Sequence, residues 1–192
     1  KGAIDMAESL DHIGPIGRTV EDCARAFAAM TGLAEYPGLG LGTLKGLRVG
    51  VLGGYFQNPL DVEVGAALAS IQSKLVENGA LLHECEIKRI DLAAAIQFMT
   101  ISSEAATSQS ERLRDRGHLL GEDVRVRLEM ASLLPAHWYL KSQRLRRELV
   151  EDIEHLFEDA DVLLSPTMRS PPPLVGTSTV LIGDKVYPLH TA

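Results

Sequence analysis

The sequence predicts an α/β fold, with a mixed, partly parallel sheet covered by helices. Three observations carry this. Short apolar runs at 47–52 (Leu-Arg-Val-Gly-Val-Leu), 81–87 and 161–166 have the length and bounding turn residues of strands. Longer stretches with apolar residues recurring at three and four separate them. The first two runs enclose one helical stretch with short joins, the pattern of a right-handed βαβ crossover and hence of a parallel pair. We therefore expect strands near 47–52, 81–87 and 161–166 in one sheet, with the first two parallel.

In chain order, Gly14-Pro15 marks a turn, because Pro15 biases Gly14 away from the helical region. Asp11 and Arg18 flank it, and an ion pair between them is expected to hold its shape. Thr19 with Asp22 three residues on forms a capping box in its broader form and starts a helix over 20–32. Val20, Cys23, Ala24, Phe27 and Met30 form its apolar face, and Gly32 is its stop. The connection through Tyr36-Pro37-Gly38 to Gly42 is loop. Gly53-Gly54 follow a strand, but their spacing matches neither dinucleotide- nor nucleotide-binding glycine patterns, so they read as a turn.

Asp61 caps a helix over 62–78 with Val64, Leu68, Ile71 and Leu75 as its buried stripe, ended by Asn78-Gly79. Asp91 opens a helical stretch reaching Arg116 and broken at Gly117. A further helix spans 122–133. Pro135 suits the first turn of a long helix to Glu158, with Leu145, Leu149, Ile153 and Leu156 inward. Asp161-Val-Leu-Leu-Ser-Pro-Thr is a strand ended by Pro166. Pro171 to Pro173 favour an extended polyproline segment. Residues 179–187 form a hairpin turning at Gly183-Asp184.

Composition excludes several classes of function. The 192 residues are 45% hydrophobic and 23% charged, ordinary for one globular domain rather than a disordered chain. A net charge of −7 lacks the basic footprint of a nucleic-acid binder. Lys141, Arg144, Arg146 and Arg147 are followed at once by Glu148, Glu151 and Asp152, which makes a solvated helix face. Cys23 and Cys85 are the only cysteines and share no metal- or redox-type spacing, so they read as buried thiols in a reducing compartment. No apolar run is long enough to span a membrane and no signal peptide is visible, so the expected location is the cytoplasm. The six histidines are scattered, without paired-ligand spacing, so no metal is expected.

Two stretches carry more information than their periodicity. Residues 9–22 read Ser-Leu-Asp-His-Ile-Gly-Pro-Ile-Gly-Arg-Thr-Val-Glu-Asp. Residues 97–106 read Gln-Phe-Met-Thr-Ile-Ser-Ser-Glu-Ala-Ala. The first closely resembles the loop that follows the catalytic core in the amidase signature family. The second resembles that family's helix of aromatic residues followed by Ser-Ser-Glu-Ala beside the substrate cavity. The strand and Pro-Thr loop at 161–167 resemble a third family segment. The resemblance extends from about residue 1 to about 167 and is dense only at these three places.

The resemblance implies a segment of that family's α/β/α sandwich and the hydrolysis of carboxylic amides, without metal or organic cofactor. The family's Lys, its Ser held by a cis peptide bond and its nucleophilic Ser lie in a Gly/Ser-rich region ahead of the first stretch. This chain contains no such run. It is therefore read as one partial domain over 1–192, truncated at both ends, with no catalytic residue of its own. Exposed apolar surface, and with it self-association or cover by an upstream segment, is expected. The implied partner is a small-molecule amide substrate. Phe98, Ser102, Trp138 and Thr167 are expected to face the cavity. Phe98 and Ser102 lie on the family-like helix, and Trp138 is a candidate aromatic wall. Thr167 lies at a strand's carboxyl end, where α/β folds place ligands. Gln97, where the family has an aromatic, and the residues from Thr107 to Gln109 favour a general amidase over the amidase component of a tRNA amidotransferase.

Two other readings compete. Ser102 or Ser103 could serve a freestanding hydrolase, but both lie in a helical pattern without a nucleophile elbow. A non-catalytic α/β module binding a ligand or partner is the alternative from another class. A Gly/Ser-rich coding stretch with two serines just upstream would decide for the amidase.

Overall fold

The computed structural model describes residues 3–34 and 42–189. The Tyr36-Pro37-Gly38 connection and the last residues, 190–192, lie outside them. The chain divides into two compact units, 1–42 with 97–142, and 43–96 with 143–192.

In the second unit, β1 (Arg48–Leu52), β2 (Leu81–Cys85) and β3 (Val162–Leu164) form one sheet in the order β2-β1-β3. Both pairings are parallel, with Arg48 opposite Leu81 and Val49 opposite Val162. The expected shared sheet and the parallel first pair are observed. The central strand is buried on both faces, with Val49 1% and Val51 4% exposed on one and Leu52 6% on the other, as a parallel strand with neighbours on both edges should be. Gly50 sits where a Cβ would lie 2.8 Å from Leu163 Cδ2, 3.0 Å from Cys85 Sγ and 3.3 Å from Ala160 Cβ.

The helix α2 (Val62–Glu77) joins β1 to β2. The Asp61 carboxylate accepts from the Glu63 N–H at 2.8 Å, the cap the sequence predicts. Its expected buried stripe is only partly buried: Leu68 is covered, while Ile71 is 47% exposed. The thiols are likewise free and half-buried rather than buried, and desolvation pushes the Cys85 thiol above its ordinary value. The predicted hairpin is present as β4 (Thr179–Ile182) and β5 (Lys185–Pro188), with Ile182 opposite Lys185 and Gly183 at φ 63° in the turn. Residues 171–174 belong to no helix or strand.

A long-range clamp holds the start of β1 to the residue before β3. Asp161 accepts from the Arg48 backbone N–H at 2.9 Å and from its Nη2 at 2.8 Å and Nε at 3.2 Å. The Arg48 side-chain hydrogen bond, then its backbone N–H, hold the Asp161 carboxyl below its ordinary value of 3.8, and Asp161 raises Arg48 in turn. A carboxyl lowered in the folded state adds stability that is complete above its unfolded value. That stability is lost as pH falls through the lowered folded value. Asp161→Asn should therefore lose less stability than the parent between pH 6 and pH 3, measured as urea midpoints. Equal losses in both proteins would remove the clamp from the acid response.

In the first unit, α1 (Val20–Thr31) is capped as predicted. Thr19 Oγ1 accepts from the Asp22 N–H at 3.1 Å, and Gly32 closes the helix at φ 76°. Its apolar face is a correction. Only Ala24 and Ala28 are buried on this helix, while Val20 and Met30 are 75% and 50% exposed. The Asp11–Arg18 ion pair is a second correction. Asp11 Oδ2 accepts from the backbone N–H of Met6 at 2.6 Å and of Ala7 at 3.2 Å, and it makes no ion pair with Arg18. Closing a five-residue loop costs less chain entropy than fixing two long side chains across a turn.

The long helical stretch is also divided. A 3₁₀ turn at Ile90–Leu92 precedes α3 (Ala93–Ser108), and α4 (Ser110–Arg116) follows after the single non-helical residue Gln109. The ladder continues across that residue, through Gln109 N–H to Ala105 C=O and Leu113 N–H to Gln109 C=O. Next come α5 (Glu122–Ala131) and α6 (Ala136–Leu156), with Pro135 immediately ahead of the latter. No helix among the described residues is long and apolar enough to cross a membrane. Exposed apolar side chains are numerous, including Ile16, Leu133, Leu174 and Val175.

Candidate functional site

The site is built in the first unit, on α3. One stripe of that helix presents Ser103, Ala106 and Thr107 to a concavity of about 780 Å³. The N-terminal loop contributes Asp5 and Glu8, and the α5–α6 corner contributes Ser132, Leu134 and Tyr139. Pro135 sharpens this corner because it starts a helix readily and cannot continue the preceding one.

Glu104 is the hub. Its Oε2 accepts from the Ser9 N–H at 2.9 Å, and its Oε1 accepts from Ser9 Oγ at 2.7 Å and from the Tyr139 hydroxyl at 3.4 Å. One turn on, Ser108 Oγ donates to the Met6 C=O at 3.1 Å. Gln109 is 6% exposed. Its Nε2 donates to the Asp5 C=O at 2.8 Å, and its Oε1 accepts from Arg112 Nη1 at 2.7 Å. Three side chains of 104–109 thus stitch the segment 5–9 onto the helix, satisfying backbone groups that would otherwise need water. The two stretches singled out in the sequence are joined to each other, Ser9 of the first to Glu104 of the second.

Among the described residues the polar part of the lining is hydroxyl and carboxylate, beside Ala106, Ala131, Leu134 and Ala136, with no histidine, lysine or arginine. Thr107 Oγ1 donates back to the Ser103 C=O at 2.9 Å, the ordinary use of a mid-helix hydroxyl. Such a surface suits hydrogen-bonding ligands. Among the described residues no group of three or more His, Cys, Asp or Glu is placed to hold a metal.

The four residues named from sequence are distributed as follows. Phe98, 59% exposed, and half-buried Ser102 share one stripe of α3, four residues apart, beside the stripe that lines the concavity. Trp138 is 50% exposed on α6, edge-on to His137 at 6.1 Å between centroids, next to the lining residue Tyr139. Thr167 is exposed just beyond β3, in the other unit. Sequence reasoning missed Ser9, Glu104 and Tyr139 as a connected set. Ser9 and Glu104 stood in the two motifs, but nothing in a linear pattern pairs residues 95 apart.

Replacing Glu104 by Ala should strip Ser9 of both acceptors. Because the contact is partly exposed, we expect a loss of about 1–2 kcal/mol, toward the low end for charged hydrogen bonds. Urea denaturation measures it, and an upfield move of the Ser9 amide proton reports the bond itself. An unmoved Ser9 amide would show that the contact is absent in solution.

Comparison with known proteins places this arrangement. The family described as Amidase matches residues 1–189, and the chain belongs to it. It is 34% identical over 183 residues to an amidase of Pseudomonas putida, covering 88% of this chain and 39% of that protein. It is 30% identical to AtzE, the 1-carboxybiuret hydrolase component of Pseudomonas sp. (strain ADP), covering 100% and 44%. With a glutamyl-tRNA(Gln) amidotransferase component of Geotalea daltonii the figures are 28%, 93% and 44%. The chain thus spans less than half the length of these relatives. A crystal structure of an amidase superposes with a TM-score of 0.85 at 22% identity, covering 100% of this chain and 43% of the other, and so supports the fold. A structure described as a vestigial complex related to an s-triazine catabolic enzyme gives 0.81 at 27%, covering 98% and 43%.

Proposed function

We propose that this chain forms the later portion of a hydrolase acting on carboxylic amide C–N bonds. It contributes fold and pocket walls, while the Ser-cisSer-Lys machinery comes from residues outside it. The observation that carries this reading is the seating of the Ser9 loop on the Glu104 helix at the edge of the 780 Å³ concavity. Amide hydrolysis needs an activated nucleophile, a proton relay and donors for the developing oxyanion. Among the described residues the concavity offers walls and hydrogen-bonding groups, with no histidine or lysine in its lining. The higher identity to an amidase than to the Geotalea daltonii amidotransferase component, 34% against 28%, supports a general amidase. The exposed apolar residues fit a surface covered by further sequence or by another copy.

In this reading Phe98, Ser102, Trp138 and Thr167 are wall residues of the intact enzyme. The purified 192-residue chain should hydrolyse none of a panel of aliphatic, aryl and glutaminyl amides. Turnover that disappears on Ser102→Ala or Ser103→Ala would revive the freestanding hydrolase. Where the catalytic segment is present, Phe98→Ala and Ser102→Ala should raise KM several-fold, up to about tenfold, with smaller effects on kcat. Unaltered kinetics for both would remove them from the pocket.

A further inference from the structure

The sheet of the second unit has a switch point. From β1 the chain passes through α2 to β2 on one side, and β3 lies on the other. In such sheets a crevice opens beyond the carboxyl ends of the strands where the connections diverge. Two segments leave from it, 53–57 after β1 and 165–169 after β3.

Arg169 joins them. Its guanidinium carbon lies 4.5 Å from the Tyr55 ring centroid, and its Nη2 donates to the Tyr55 C=O at 2.7 Å. Its own C=O accepts from the Asp61 N–H at 2.9 Å, so the residue is anchored at both ends. Arg169 is half-buried, yet it pairs with no carboxylate among the described residues. Of its five N–H donors, one is used among the described residues. The local acids are otherwise placed: Asp61 caps α2, and Glu86 packs against Gly54. The hydroxyls of Tyr55, Ser165 and Thr167 have no partner among the described residues.

We infer that Arg169, held over the Tyr55 ring at the carboxyl ends of β1 and β3, binds the carboxylate group of a small molecule, with Thr167 offering a further hydroxyl. The guanidinium fork matches a carboxylate through two parallel N–H bonds. Its hydrogen bond to the Tyr55 C=O and its position over the ring restrain the guanidinium before the ligand arrives, so less side-chain freedom is lost on binding. Thr167 is also a wall residue in the reading above; the Arg169 site itself is read by binding rather than turnover.

The test is a titration of the 192-residue chain with sodium acetate at constant ionic strength, followed by ¹H–¹⁵N NMR. The Arg169 Nε–Hε signal and the Gly54 and Thr167 amides should shift together and saturate, with Kd on the order of 1–10 mM. R169Q should abolish the saturable amide shifts, and R169K, which keeps the charge but loses the fork, should weaken binding about fivefold or more. Equal movement of every arginine Nε signal would mean counter-ion exchange and overturn the proposal. So would an unmoved Arg169 signal, unchanged affinity in R169K, or a lowered Tm in R169Q with the acetate response intact, since the last would make Arg169 a staple between two loops only.

Discussion

Gly50→Val is expected to destabilise the fold by about 3 kcal/mol and Gly50→Ala by about 2 kcal/mol, within or just above the usual range for overpacking a core. Gly50 lies on the central strand, between two parallel neighbours. A Cβ there meets three atoms at 2.8, 3.0 and 3.3 Å, from Leu163, Cys85 and Ala160. Leu163 can turn its methyl away and Cys85 can rotate. The Ala160 Cβ is fixed to the backbone, so part of the clash persists. The nearest atom being Leu163 Cδ2, a Leu163→Val change should recover part of the loss in the Gly50→Ala background, although it costs stability alone. Urea midpoints of the four proteins form the cycle. A Gly50→Ala protein within about 0.5 kcal/mol of the parent, the ordinary range for a substitution that meets nothing, would show that β1 is not packed between its neighbours as described.

Arg89→Met should cost about 2 kcal/mol, less than a fully buried pair because the guanidinium is partly solvated. Arg89 stands at φ 60°, a conformation that side chains adopt at some cost. Its Nη2 donates to Asp152 Oδ1 at 2.9 Å and to the Glu148 C=O at 3.2 Å, and its Nη1 lies 3.5 Å from Glu148 Oε2. Asp152 is the vulnerable partner, with a side chain 11% exposed and its Oδ2 buried without a hydrogen bond. Removing the guanidinium leaves that carboxylate desolvated and unpaired. A fully buried pair broken this way costs about 3–5 kcal/mol, and the 43% exposure of Arg89 reduces the figure. In an Asp152→Asn background the same substitution should cost less by about 1 kcal/mol or more, because no charge is then stranded. Equal costs in both backgrounds would show that the pair contributes nothing.

What was legible in the sequence was local. Thr19 and Asp61 cap their helices because each side-chain oxygen needs only a backbone N–H two or three residues ahead. The hairpin at Gly183-Asp184 follows from turn chemistry. The parallel pairing of β1 with β2 follows from two apolar runs and a crossover of helical length. The motifs at 9–22 and 98–106 marked the region of the candidate site.

The apolar stripes were legible only as periods. In α1, the recurrence of Val20, Phe27 and Met30 made a helix certain to be amphipathic but could not say what would cover it, and within this chain little does. The division of one long helix at Gln109 was equally invisible. At that residue the side chain donates to the Asp5 carbonyl, 104 residues away in sequence.

By itself, then, the sequence determined most of the helices, the caps at Thr19 and Asp61, the parallel pair of the crossover and the family, since all of these depend on neighbours within a few turns or on unbroken motifs. Only the tertiary structure decided that Ser9 would meet Glu104, that Arg48 would clamp Asp161 and that Arg169 would lie over the Tyr55 ring. Each of those contacts joins residues separated by 95 to 114 positions. Local propensity is silent over such distances. The partners are chosen when the packed elements bring particular donors and acceptors together.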